Sequence, residues 1–89
     1  MNEVQYDVCL CVELVLMHRG VMPGPVTDGD GQPVTDVSEQ TAINSICQFW
    51  QLDEADVRRV IDEFISSIPS RGEWDAGDLT HDLLMMQAD

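Results

Sequence analysis

Between Asp53 and Pro69 the apolar residues Val57, Val60, Ile61, Phe64, Ile65 and Ile68 recur at spacings of three and four. That period matches the 3.6-residue helical turn and gathers all six side chains on one face. Pro69 ends the run, because proline lacks the amide donor and its ring clashes with the preceding turn. At the other end Asp53 suits a helix cap, and Glu54 and Asp56 fall in the first turn, where the helix dipole favours carboxylates. A helix so specified cannot stand alone in water. Its apolar face has to be covered.

The rest of the chain offers the cover. Asp36-Val37-Ser38-Glu39 fits a capping box, with Asp36 accepting at the helix start and Glu39 reaching back. Ala42, Ile43, Ile46, Cys47 and Trp50 then form an apolar stripe, opposite Gln40, Asn44, Gln48 and Gln51. After Ser70-Arg71-Gly72 a last helix places Leu79, Leu83 and Met86 on one side. Residues 4–19 admit two readings. Val4, Tyr6, Val8, Leu10, Val12, Leu14 and Leu16 alternate as in a strand, yet the run is long, and His18-Arg19-Gly20 resembles a helix end with a glycine cap. A largely buried helix is favoured, since a lone strand would lack partners. Residues 20–36 are rich in proline and glycine and read as a loop, in which Val26-Thr27 and Val34-Thr35 could pair as a short hairpin around Asp28–Pro33. The expected fold is all-α: one domain over residues 1–89, a bundle of about four helices with that loop or hairpin after the first element.

Charge narrows the function more than any motif does. The chain of 89 residues carries 17 acids against four arginines and no lysine, a formal net charge of -13. The acids are spread over both halves, and the 44% hydrophobic content is too high for an acidic disordered tail. The charge is therefore expected on a folded surface. Such a surface repels phosphate, so direct binding to nucleic acid or to an anionic membrane is not expected. The apolar stretch from Val4 to Met17 is interrupted by Asp7 and Glu13, and it is too short for a membrane span. Cys9, Cys11 and Cys47 have no disulfide-framework spacing and suit reduced thiols in a cytoplasmic protein, two of them at core-like positions.

Each chemical motif weakens on inspection. Asp28, Asp30, Asp36 and Glu39 fall at the acidic positions of a calcium loop, but Pro33 stands where that loop needs glycine. A polar turn followed by a helix cap accounts for the same residues. Cys9, Cys11, Cys47, His18 and His81 lack zinc-ligand spacing, so no metal and no cofactor are expected. Cys47 lies on an apolar stripe, the setting of an inert thiol and not of a nucleophile. Carboxylates are so numerous that any pair could be named a general acid and base, which identifies neither; no enzyme is expected. A helix-turn-helix around Gln51-Leu52-Asp53 would present Asp56, Asp62 and Glu63 beside Arg58 and Arg59, hostile to a phosphate groove. Asp78-Leu79-Thr80 does not supply the Asp-Ser-Leu of an acyl carrier.

What remains is binding through acidic surface. Asp75, Asp78 and Asp82 lie three and four apart on one helix face, with Glu73 just ahead, at about 5–6 Å between neighbours, near the phosphate spacing of a nucleic-acid strand. The expected partner is a basic protein surface, one built to hold nucleic acid. The expected contacts are Glu54, Asp56, Asp62, Glu63, Glu73, Asp75, Asp78 and Asp82, with Trp74 as an aromatic anchor if exposed. Viruses and mobile elements make small acidic inhibitors of this kind against host nucleases or CRISPR effectors, an analogy of class alone. The competing readings are an acidic helical adaptor or assembly subunit that binds through an apolar patch, and the acid-rich, lysine-free composition of a salt-loving organism.

Overall fold

The computed structural model of the chain describes residues 3–28, 30–34 and 37–87, with side chains from 8 to 86. Among the described residues four α-helices form: α1 (Glu3–His18), α2 (Glu39–Trp50), α3 (Glu54–Ser67) and α4 (Ala76–Gln87). A 3₁₀ turn, Ile68–Ser70, prolongs α3 around Pro69. Contacts run α1 to α2, α2 to α3, α3 to α4 and α4 back to α1, so each helix touches two neighbours. The radius of gyration is 12.4 Å, against about 12 Å for a folded chain of this length.

The segment with the ambiguous pattern is helical. Val8, Val12, Val15 and Leu16 fall on one helical stripe and are buried, and Leu14 is buried on another flank. With α2 and α4 packed on it, α1 needs apolar residues on more than one side. Its end is a Schellman motif, in which the Gly20 amide donates to the Met17 carbonyl at 3.0 Å and the Val21 amide to Leu16 at 3.1 Å. Gly20 supplies the positive φ of 77° that this closure requires.

The described parts of the loop between α1 and α2 lie against the bundle. Val26 is 4% exposed, and Val21, Met22, Val34 and Val37 are half-buried against the core. Among the described residues the loop holds one antiparallel bridge, Thr27 to Pro33, and no strand. Around it the Val34 amide donates to Val26 O at 2.8 Å and the Asp28 amide to Gln32 O at 2.9 Å. The loop runs close over α1, since a Cβ added at Gly24 would sit 2.8 Å from Met17 Sδ.

Two caps differ from expectation. The N-cap of α2 is Ser38, whose Oγ accepts from the Thr41 amide at 3.1 Å. Asp36 lies outside the described residues. Glu39 does not reach back along the chain as the capping box required, because its carboxylate is held by Arg19 Nε at 2.9 Å. Asp53 does occupy the N-cap of α3, but its side chain makes no capping bond. The same Arg19 reaches Asp62 through Nη1 at 2.9 Å. One guanidinium thus clasps the end of α1 to both α2 and α3.

That clasp is part-buried, whereas Arg59 and its partner Asp56 are largely in solvent. Arg19→Ala should therefore cost about 1–2 kcal/mol, and Arg59→Ala under about 0.5 kcal/mol. Urea titration of the two variants checks the order. Equal losses would remove the clasp from the account.

Candidate partner-binding surface

All four arginines are paired within the chain. Besides the Arg19 clasp, Arg58 Nε donates to Glu54 at 2.9 Å, and its other nitrogens reach Gln40 and, at 4.0 Å, Glu39. Arg59 pairs with Asp56 at 3.3 Å across one helical turn. Arg71 lies with its guanidinium carbon 4.2 Å from the centroid of the Phe64 ring and 3.5 Å, nitrogen to oxygen, from Asp82. Arg58 beside Glu54 holds that carboxyl below the usual range, and Gln40 adds to the effect. No arginine is left to offset the remaining acids. The excess negative charge therefore stays on the surface.

This sorts the expected contact residues into two groups. Glu54, Asp56, Asp62 and Asp82 are each spent on an arginine of this chain. Glu63, Glu73, Asp75 and Asp78 have no cation within salt-bridge distance among the described residues, and all four are exposed. Asp78 has a local task, since its Oδ2 accepts from the Asp75 amide at 3.1 Å at the start of α4. That is half of a capping box, and it fixes the residues around it. The uniform row Asp75, Asp78, Asp82 is thus three different environments: a carboxylate leaning over Gly77, a helix cap, and a half-buried ion pair.

Glu73, Trp74, Asp75 and Asp78 come together with Gly72 around an open depression of about 560 Å³ at the start of α4. Trp74 is half-buried, and its ring meets Phe64 edge-on, centroids 5.6 Å apart and planes at 79°. The indole therefore both packs on the core and lines the depression. Next to it, Val60, Glu63, Phe64, Ser67, Arg71, Asp82 and Met85 line a groove of about 280 Å³ between α3 and α4. Glu54 and Asp56 begin α3, at the opposite end of the helix from the turn that leads to Trp74. The contact set is thus not one patch. Sequence reasoning missed Met85, which is 57% exposed, and the groove it borders. An α3–α4 groove joins residues as far apart as Val60 and Met85, and no local pattern announces it.

The remaining candidates settle into structural roles. Asp28 Oδ1 accepts from the amides of Asp30 and Gln32, at 2.9 and 3.0 Å, so this carboxylate stabilises its own turn. Among the described residues no group of His, Cys, Asp and Glu is placed to hold a metal ion. Cys9, Cys11 and Cys47 are half-buried and not in the fully buried core. Burial pushes the Cys47 thiol up, and the nearby Glu54 and Asp53 charges push it further. Since the thiolate is the reactive form, Cys47 should alkylate with iodoacetamide several-fold more slowly in the folded protein than in urea. Equal rates would contradict this. Among the described residues no helix is long and apolar enough to cross a membrane.

No family model, no curated protein and no solved structure matches the chain.

Proposed function

We propose that the protein is a non-catalytic acidic binder that occludes a basic, nucleic-acid-handling partner by presenting carboxylates where that partner expects phosphates. The observation that carries this reading is the disposition of charge. Every arginine is neutralised within the chain, while Glu63, Glu73, Asp75 and Asp78 remain exposed without a cation among the described residues. A net charge of -13 also exceeds what solubility asks of a small domain, about 2–8 in magnitude. The mechanism is stoichiometric. Carboxylates steer association over long range, then pair with the arginines and lysines of the partner's groove and block it. A virus-encoded inhibitor of a nuclease or CRISPR effector, acting in the host cytoplasm, is the biological setting in which such a molecule makes sense.

A second reading is favoured by the exposure of Phe49 (41%) and Met85 (57%): an adaptor or assembly subunit that binds through apolar contacts. A pull-down from nuclease-treated lysate, washed at low and at high salt, separates the two. The charge reading expects a basic partner that salt or added DNA releases. A non-basic partner that resists salt would favour the adaptor and overturn mimicry.

A further inference from the structure

We infer that the α3–α4 groove seats one arginine side chain of the basic partner, its stem along Val60 and Met85 and its guanidinium on Glu63. This rests on the charge reading above and deepens it. The groove measures about 280 Å³, below the about 300–1,000 Å³ typical of a small-molecule pocket, and suits a single long side chain. Its floor is apolar, from Val60, Phe64 and Met85, and its rims carry Glu63 and Asp82. A floor and rim of that kind match a side chain with an apolar stem and a cationic head.

Arginine fits better than lysine. A guanidinium is less strongly hydrated than an ammonium and pairs with carboxylate through a fixed fork. The groove already accepts one such group from its own chain, for Arg71 lies 4.2 Å from the Phe64 centroid and 3.5 Å from Asp82. That fills one rim. On the other rim Glu63 of α3 is exposed and has no cation within salt-bridge distance among the described residues, and Met85, across the groove on α4, is 57% exposed. Methionine is a soft, adaptable surface against which an alkyl stem packs well. A second copy of this chain is a poor occupant, because each copy carries a net charge of -13 and would bring carboxylates to carboxylates.

The test is a titration of the full chain, with methionine methyls and backbone amides labelled for NMR, against two acetylated octapeptides. One alternates arginine with glycine; the other has lysine in place of arginine. At about 0.15 M salt, where longer-range attraction is screened, the arginine peptide should move the Met85 methyl saturably and bind at least about threefold tighter than the lysine peptide. Glu63→Gln and Met85→Ala should each weaken the arginine peptide about threefold to fivefold and erase its preference, while Glu73→Gln changes it by less than about twofold. Both substituted side chains are exposed, so the fold should survive, and the amide spectrum checks it. Equal affinity for the two peptides with a stationary Met85 methyl and shifts elsewhere on the acidic surface would overturn the groove and leave the charge reading standing. A Met85 shift that depends on protein concentration alone would assign the groove to a second copy and overturn the inference. Absence of binding by either peptide at low salt would remove both the groove and the charge reading.

Discussion

Phe64→Ala is expected to destabilise the fold by about 3–5 kcal/mol, a large part of the total for a domain of this size. Phe64 is 2% exposed and holds three structures together. Its ring meets Trp74 in a T-shaped contact at 5.6 Å, supports the Arg71 guanidinium at 4.2 Å and belongs to the buried core. Alanine would leave a cavity and strip the turn of its anchor, so the Trp74 environment should loosen with the global loss. Phe64→Leu retains most of the volume without the ring, and should lose about 1–2 kcal/mol. Urea denaturation followed by tryptophan fluorescence and by far-ultraviolet circular dichroism measures both. A loss under about 1 kcal/mol for Phe64→Ala would mean that this corner is not packed as described.

Salt should stabilise the protein strongly. Two like charges 10 Å apart in water repel by about 0.4 kcal/mol when unscreened, and a net charge of -13 is held within a 12.4 Å radius of gyration. Going from about 0.01 M to 1 M salt shortens the screening length from about 30 Å to 3 Å. The melting temperature should rise by about 5–10 °C, several times what a charge-balanced domain shows. Glu63→Gln and Glu73→Gln should each raise it by about 1–3 °C at low salt, because each deletes repulsion and breaks no ion pair or hydrogen bond. Asp82→Asn should lower it, since that carboxylate is paired with Arg71. Glu63→Gln and Glu73→Gln should also bind a basic partner less well. Stability gained where binding is lost is the mark of a surface kept for function. A fold absent below molar salt would instead indicate a halophilic composition. No response to salt would contradict the charge account.

How legible this fold was in the sequence varied with how each helix is buried. α3 and α2 each bury one face, so Val57, Ile61 and Phe64, and Ile43, Ile46 and Trp50, stand out against polar opposite faces. α1 is covered by the loop as well as by α2 and α4, and its apolar residues surround it enough to imitate alternation. Period then ceases to discriminate helix from strand. Gly20, two positions after His18, was the better guide. Cap register failed because Asp36 and Ser38 are both good caps, and choosing between them needs the loop path that brings Arg19 to Glu39.

The candidate surface was legible in charge but not in arrangement. Counting acids identifies an excess, yet the arginine partners are set by tertiary contact. Arg19 and Asp62 are 43 residues apart, and nothing local joins them. Asp78 as a helix cap could have been read from Asp75-Ala-Gly-Asp78, since the spacing is that of a capping box. The α3–α4 groove could not, because Met85 alone is only one methionine on an amphipathic helix.

The measurement that tests the central claim most directly is displacement from immobilised DNA. Basic proteins from nuclease-treated lysate of the source or its host are loaded on DNA-cellulose at low salt, and the purified protein is then added. Occlusion by charge predicts that a discrete basic protein leaves the column bound to this chain. It also predicts that substituting Glu63, Glu73 and Asp75 together by their amides abolishes the release. Release of nothing, from a column that salt alone strips normally, would contradict the account.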